Sequence, residues 1–295
     1  MPSILYPDEI IIDDKYVKKN KDKLFLPKVG RRKFATGYDP STVDERVRGM
    51  LAKPSEMKII PRSEWPDRIA EQEKTKSRIS DILLRKKIPS TDQNGHGYCW
   101  AYSGTGCVIV VRALNNQSYK PLNAHSVAAI IKNGRDEGGW CGQSGKFLME
   151  NGVAVMGSKV GQWPEHSRSM KYNTAECLAA MKKNRVDEAF IDLSRAAYDQ
   201  EMTFDQIATC LLLNIPCALD FNWWGHSVLG CDLVYLGNNV YAIRIRNSWT
   251  DGWGALGFSV LSESQSRADN AIALATVKGS AEHVVSVPVL VTTVA

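Results

Sequence analysis

The sequence predicts an α+β fold in which a helical half precedes a twisted antiparallel sheet. Residues 99–114 are apolar nearly all round, which is typical of a buried central helix rather than a surface helix. Several other stretches before Pro216 have the length and periodicity of helices. After Pro216 the apolar runs become short and rich in β-branched residues, as in strands. A functional site is expected where the two halves meet.

The individual elements follow from periodicity and turn signals. We expect helices over residues 44–51, 67–87, 99–114, 122–132, 143–151, 174–184 and 203–213. We expect strands over residues 217–222, 226–237, 239–247 and 257–261. The tripeptide Gly237-Asn238-Asn239 predicts a hairpin turn, because glycine and asparagine tolerate positive φ.

Composition excludes several classes of protein. The chain has 295 residues, 44% of them apolar and 23% charged, which is an ordinary balance for a globular protein. No apolar run approaches the roughly 18 residues of a membrane helix, so no membrane partner is expected. The N-terminus lacks the basic start and apolar core of a secretory signal.

The seven cysteines are scattered and odd in number, which does not suit a disulfide framework. They do not form a Cys-x-x-Cys pair or a Cys/His cluster with zinc spacing, so no metal is expected. We predict a reducing compartment, such as the cytoplasm or the interior of a viral particle.

Charge and composition divide the chain into three parts. Residues 1–56 form a basic N-terminal extension, residues 57–281 a compact domain, and residues 282–295 an apolar tail of β type. The basic extension would suit docking onto an acidic partner or nucleic acid. Its Lys and Arg are interleaved with acids, which favours a solvated arm, so a nucleic-acid partner is not expected. Residues 1–56 and 282–295 remain candidates for contact with a protein assembly partner.

Cys99 has the sequence context of a reactive thiol. It follows a glycine-bearing loop and begins the predicted central helix. Unpaired amides and the dipole at a helix N-terminus stabilise a thiolate. Gln93 lies six residues upstream, where its amide could donate to an oxyanion together with the backbone N–H of Cys99.

Two residues of the β half could complete this chemistry. His226 begins a predicted strand, and a neutral imidazole beside a thiol can take its proton. The side-chain oxygen of Asn247 could accept a hydrogen bond from the other ring nitrogen and orient the imidazole. Trp249 could shield that hydrogen bond from water and so strengthen it.

The order of these motifs resembles the papain family of cysteine peptidases. The matching runs are Gln93-x5-Cys99-Trp100-Ala101-Tyr102, Gly225-His226-Ser227-Val228 and Asn247-Ser248-Trp249-x3-Trp253-Gly254. The resemblance implies a two-lobed papain-like fold, with a barrel-like antiparallel C-terminal lobe and Cys99, His226 and Asn247 as catalytic residues. It also implies that Gln93 and the Cys99 amide hold the oxyanion.

Further matches extend the resemblance over roughly residues 57–280. Gly138-Gly139 followed by Trp140 resembles the family's Gly-Gly segment, whose backbone pairs with the substrate. The resemblance therefore implies substrate binding by Gly138, Gly139, Trp140, Trp249 and Trp253. Because Trp140 lies near the expected pocket for the second residue before the scissile bond, an apolar side chain is expected there.

The sequence also departs from the family pattern. His96 stands where the family usually has a disulfide cysteine, and Asp136 or Glu137 matches the position of its partner. Gly225 precedes the histidine where the family often has Asp or Asn. Residues 1–56 are shorter than the family's long inhibitory segment, so inhibition by the usual route is not expected.

The predicted function is thiol-dependent hydrolysis of peptide bonds in a polypeptide substrate, without metal or organic cofactor. One alternative is a structural or assembly component, for example of a viral particle, that retains a papain-like domain. Another is a Cys/His hydrolase acting on cell-wall cross-links or an isopeptide. The Asn247-Ser248-Trp249 context favours the papain branch over cell-wall amidases.

Overall fold

The computed structural model describes residues 3, 5–24, 36–52, 58–186, 190–193 and 200–274. The helices of this part of the chain are α1 (Asp14–Lys19), α2 (Lys21–Leu24), α3 (Glu45–Arg48), α4 (Trp65–Thr75), α5 (Ile79–Arg85), α6 (Cys99–Leu114), α7 (Ala124–Ile131), α8 (Cys141–Glu150), α9 (Ala175–Met181) and α10 (Gln200–Leu212). The strands are β1 (Ile10–Ile12), β2 (Ile191–Asp192), β3 (Cys217–Phe221), β4 (His226–Gly237), β5 (Val240–Arg246), β6 (Phe258–Ser262) and β7 (Asn270–Ala273). The predicted tail 282–295 lies outside the described residues.

These strands form one seven-stranded sheet in the order β1-β6-β5-β4-β3-β7-β2. Every pairing is antiparallel except that of β1 with β6, which is parallel. The predicted turn joins β4 to β5, with positive φ at Gly237, Asn238 and Asn239. The α+β fold class is therefore confirmed, with the helices mostly before the long strands.

The predicted central helix is α6, and it begins at Cys99 and ends at Leu114 as expected. All of its residues except the last are buried, which explains why its sequence is apolar on every side. It packs against β3 and β4 of the sheet and against α8 of the helical half. The first turn of α6 therefore lies at the junction of the two halves.

The single helix predicted over residues 67–87 is wrong, because the structure has two helices, α4 and α5, in that range. Helix α4 ends before Lys76, which adopts a left-handed conformation with φ of 54°. The buried Arg78 follows and forms ion pairs with Glu73 at 2.9 Å and Asp81 at 2.8 Å. Burying a guanidinium between two carboxylates requires a sharp turn there, which periodicity alone does not reveal.

Residues 10–12, within the N-terminal extension, belong to the sheet. Strand β1 adds an edge beside β6, and Ile12 is fully buried. Glu9 and Arg244 form an ion pair with a 2.6 Å contact, and both side chains are fully buried. The predicted boundary between residues 56 and 57 stays a prediction, but residues 5–24 pack on the β half.

No helix among the described residues is both long enough and apolar enough to span a bilayer.

Candidate active site

Cys99 lies at the first position of α6 and is completely buried. The backbone amides of Ser227, Trp100 and Gly37 all favour its thiolate form. Ser227 follows His226 on β4, so the thiol faces the strand that carries the predicted base. The structure thus places the predicted nucleophile where a helix N-terminus meets the sheet.

His226 and Asn247 are paired as the sequence predicts. Nε2 of His226 lies 2.8 Å from Oδ1 of Asn247, and both side chains are buried. The amide oxygen can only accept, so Nε2 carries the proton of this hydrogen bond. Nδ1 of His226 has no hydrogen-bond partner among the described residues. The ring therefore has one fixed nitrogen and one nitrogen available to receive a proton.

Indole rings surround this histidine. Trp249 stacks on the imidazole with ring centroids 4.7 Å apart, and Trp224 meets it edge-on at 4.8 Å. Trp253 packs against Trp249 at 5.6 Å. Trp223 in turn stacks on Trp224 at 5.3 Å. The rings exclude water from the His226–Asn247 hydrogen bond, which strengthens it.

Gln93 ties the loop before α6 to the segment that carries Asn247. The Ser248 hydroxyl donates to Gln93 Oε1 at 2.6 Å, and the Gln93 backbone N–H donates to the Ser248 carbonyl at 3.0 Å. Gln93 Nε2 donates to the His96 carbonyl at 2.6 Å. The predicted oxyanion donor is thus held in place from the β half.

Residues 36–39, here called the strap, lie across the site. The N–H groups of Gly37 and Tyr38 both donate to the Gly225 carbonyl, at 3.0 and 2.9 Å. The Gly139 N–H donates to the Gly37 carbonyl at 2.9 Å, and the Asp39 N–H donates to the Gly139 carbonyl at 2.9 Å. These bonds make a parallel bridge between Tyr38 and Gly139. The strap therefore takes up the backbone hydrogen-bonding groups of Gly139. Gly139 belongs to the Gly138-Gly139 segment that the sequence predicts to bind substrate.

Only glycine fits at position 37. A Cβ there would lie 2.2 Å from the carbonyl oxygen of Gly97, far inside contact distance. A Cβ on Gly138 would likewise lie 2.8 Å from the Gly37 carbonyl oxygen. Backbone therefore packs directly on backbone where the strap crosses the site.

Trp140, the next predicted binding residue, is buried beneath the guanidinium of Arg48, which lies 5.3 Å from its ring centroid.

Burial keeps both candidate catalytic groups neutral. Burial raises the pKa of the Cys99 thiol well above its ordinary value, and the nearby Asp220 carboxylate raises it further, against the three amides. Burial also lowers the pKa of His226 to about 4, a shift that its bond to Asn247 only partly offsets. With the strap in place, the thiol and the imidazole are therefore both neutral.

Comparison with known proteins identifies the architecture. No protein-family model matches the sequence, and no curated protein matches it. Among solved structures, xylellain, a cysteine protease from Xylella fastidiosa, is similar with a TM-score of 0.52 and 16% identity, over 84% of this chain and 98% of xylellain. Procathepsin B S9 from Trypanosoma congolense is similar with a TM-score of 0.52 and 12% identity, over 90% of this chain and 99% of that one.

This chain has the papain-like fold. The fold predicted from the resemblance is confirmed, since helices and one seven-stranded sheet match neighbours of papain-like fold. At 16% and 12% identity the likeness establishes the architecture only. The activity must be argued from the residues of the site.

A hydrogen bond from Gly97 lies next to the two positions where the papain family usually has a disulfide. None of the seven cysteines, all of which lie in the described part of the chain, forms a disulfide. The Gly97 N–H, next to His96, donates to Asp136 Oδ1 at 2.7 Å. His96 itself contacts the Gln93 carbonyl through Nδ1 at 3.2 Å and His125 Nε2 at 3.2 Å. Hydrogen bonds therefore hold this loop of the papain-like fold beside α6.

The structure brings the predicted residues together without testing their roles. Those roles stay predictions for Cys99, His226, Asn247, Gln93, Gly138, Gly139, Trp140, Trp249 and Trp253. No group of three or more His, Cys, Asp or Glu within the described part of the chain is arranged to hold a metal ion. Sequence reasoning missed the strap, for which the only signal was a glycine beside the Tyr38-Asp39-Pro40 turn.

Proposed function

We propose that this chain is a cysteine peptidase that hydrolyses peptide bonds and is held latent by its own strap. The observation that carries the proposal is the buried His226–Asn247 pair, whose second ring nitrogen has no hydrogen-bond partner among the described residues. Cys99, at the start of α6, contacts the backbone of Ser227, the next residue on the strand of His226. Two solved structures with the same fold bear the names cysteine protease and procathepsin, which supports this chemistry.

Acylation would use each side chain in one role. Sγ of Cys99 gives its proton to Nδ1 of His226 and attacks the carbonyl carbon of the scissile bond. The Cys99 N–H and the Gln93 amide stabilise the oxyanion of the tetrahedral intermediate. His226 then returns the proton to the nitrogen of the leaving amine, and the C–N bond breaks. The N-terminal half of the substrate remains attached to Cys99 as a thioester.

Deacylation would repeat these steps with water. His226 takes a proton from the attacking water, whose oxygen bonds to the thioester carbon. The C–S bond breaks, the carboxylic acid leaves, and the thiol of Cys99 is restored. Asn247 holds the imidazole in the same orientation through both half-reactions, so each transfer uses Nδ1.

Latency follows from the contacts of the strap. The strap uses the Gly139 N–H and carbonyl and the Gly225 carbonyl, which a substrate strand would need. It runs parallel to Gly139, and Cys99 beneath it is fully buried, so no peptide carbonyl reaches the thiol. The strap must leave before the thiol can act.

The test compares two glycine variants within the extension. Gly37→Ala places a Cβ 2.2 Å from a backbone oxygen, so the strap must leave the cleft. Gly49→Ala is the matched control, since its Cβ lies 3.3 Å from the nearest carbonyl oxygens at an ordinary helical φ. We expect a thiol-directed peptidyl epoxide to label Cys99 at least about tenfold faster in Gly37→Ala than in Gly49→Ala.

A Cys99→Ala version of the Gly37→Ala protein shows which thiol reacts. If Gly37→Ala protein is folded but its Cys99 stays unlabelled and no peptide is cleaved, the proposed activity is wrong. If wild-type and Gly37→Ala protein are labelled equally fast, the activity stands and the latency is wrong.

No observation in the described residues favours the alternative functions. The described residues of the extension contact this chain, and contact with an assembly partner stays a prediction. A cell-wall peptide assay beside a polypeptide assay on Gly37→Ala protein separates the remaining hydrolase alternative. Faster turnover of the cell-wall peptide would show that it, and not the polypeptide, is the substrate.

A further inference from the structure

The strap places one side chain, that of Tyr38, deep beside the candidate active site. Only 7% of Tyr38 is exposed. Its hydroxyl oxygen accepts a hydrogen bond from Nδ2 of Asn270 at 2.7 Å. Tyr38 is also the residue that faces Gly139 in the parallel bridge. Its side chain therefore fills the pocket beside the backbone expected to bind substrate.

The floor of this pocket is polar. Asn270 on β7 lies directly opposite Asp220 on β3, so the two side chains project from the same face of the sheet. Asp220 is fully buried, and its Oδ2 accepts a hydrogen bond from the Cys141 N–H at 2.9 Å. Burial, followed by the Asp220 and Asp269 carboxylates, raises the pKa of Tyr38 well above its ordinary value. The phenol thus remains protonated and keeps a hydrogen to donate.

A second residue of the extension completes the pocket. Arg48 donates from Nη2 to Oδ1 of Asn270 at 2.6 Å and from Nη1 to Asp192 at 3.4 Å. When the extension leaves, Asn270 loses its hydrogen bonds to Tyr38 and Arg48 together. Buried polar groups without partners are costly, so a substrate that restores a hydrogen bond there is favoured over one that does not.

We propose that this pocket selects tyrosine as the substrate residue that pairs with Gly139, with Asn270 as the specificity-determining residue. The proposal rests on the proposed function and names the substrate class of the same site. It replaces the expected apolar side chain, because the pocket floor carries the carboxamide of Asn270, whose Nδ2 donates to the Tyr38 hydroxyl. Leucine or phenylalanine would offer this Nδ2 no acceptor.

The first test does not depend on peptidase activity. In full-length Cys99→Ala protein, exchange of the Gly139 amide hydrogen reports release of the strap, since this amide is bonded to Gly37. We expect Tyr38→Phe to speed this exchange about tenfold, and to have little further effect in Asn270→Leu protein. Tyr119→Phe is the control, since Tyr119 lies away from the strap and is 42% exposed. Unchanged exchange in Tyr38→Phe protein would overturn the proposal.

The second test uses the Gly37→Ala protein and two peptides that differ by one hydroxyl group, with tyrosine or phenylalanine two residues before the scissile bond. We expect kcat/KM to be at least about tenfold higher for the tyrosine peptide, and this ratio to approach one in Gly37→Ala/Asn270→Leu protein. A preference for phenylalanine, or for a matching lysine peptide, would overturn the pocket assignment. Absence of both cleavage and epoxide labelling would instead overturn the proposed function, and the exchange test would still decide the pocket.

Discussion

At the scale of single residues, the site depends on side chains that are buried in their neutral forms. Burial lowers the pKa of His125 to about 2 and that of His226 to about 4. Asp220 shows the opposite effect, because burial raises the pKa of its carboxyl to about 6. Burial disfavours the charged form of each of these side chains. Each of them therefore makes the stability of the folded chain depend on pH.

The sign of this dependence can be predicted. An unfolded histidine binds its proton near pH 6.5, so between pH 6 and 4 the unfolded chain holds two protons that buried His125 and His226 exclude. Asp220 takes up one proton in the folded chain over the same range, which offsets one histidine. From these three groups we expect the free energy of unfolding to fall by about 1.4 kcal/mol per pH unit as pH drops from 6 to 4.

Urea denaturation of full-length protein at several pH values between 4 and 6.5 measures this slope. The His125→Gln variant removes one of the two histidines, so its slope should be smaller than that of the wild-type protein by about 1.4 kcal/mol per pH unit. Tyr119→Phe, which changes an exposed tyrosine and no histidine, is the control and should keep the wild-type slope. A His125→Gln protein with the full wild-type slope would contradict the assignment.

At the scale of secondary-structure elements, prediction succeeded where the signal is local. The bounds of α6 and β4 match the sequence expectation because each is a continuous apolar run that ends in a clear turn or loop. Strands β1, β2 and β7 were missed. They have two to four residues, and their existence depends on partners far away in the sequence, such as Ile11 beside Val260.

The same reasoning separates the predictable part of the site from the rest. Sequence reasoning found Cys99, His226 and Asn247 because each lies in a local motif whose residue types indicate its chemistry. The polar pocket around Asn270 and Asp220 has no such motif, because cross-strand pairing brings the two residues together. Non-local pairing of this kind has no signature in the spacing of a single sequence.

The buried ion pair between Glu9 and Arg244 anchors strand β1. Glu9→Ala would remove one carboxylate from the fully buried guanidinium of Arg244, which also pairs with Asp232 at 3.1 Å. Removing one partner of a buried ion pair costs roughly 3 kcal/mol or more. We expect Glu9→Ala to lower the free energy of unfolding in urea by about that amount.

Another glutamate of the extension provides the control. Glu45 pairs with Arg48 at 3.2 Å, but its side chain is 82% exposed, so Glu45→Ala should cost under about 1 kcal/mol. Equal losses for the two variants would show that burial of the Glu9–Arg244 pair adds nothing to the attachment of β1.

At the scale of the whole molecule, the extension is anchored on both sides of the cleft. Before the strap, β1 pairs with β6 and Glu9 binds Arg244 on the β half. After the strap, Arg48 binds Asp192 and Asn270, and the Ala52 N–H donates to the Phe190 carbonyl at 2.8 Å. The contacts of the strap itself lie between these two anchors. A break in the chain on one side therefore leaves anchors on each side in place.

This arrangement predicts that one cut before the strap does not open the site. A recognition sequence for a site-specific protease, placed between residues 25 and 35 of Cys99→Ala protein, allows a single cut there. We expect the two fragments to elute together in gel filtration and the Gly139 amide to keep its slow exchange, because the strap stays covalently joined to the residues that hold Arg48. Adding Glu9→Ala should release the N-terminal fragment while the Gly139 amide remains protected. Loss of that protection after the single cut would mean that the strap is held mainly from its N-terminal side, and that one cleavage is enough to expose Cys99.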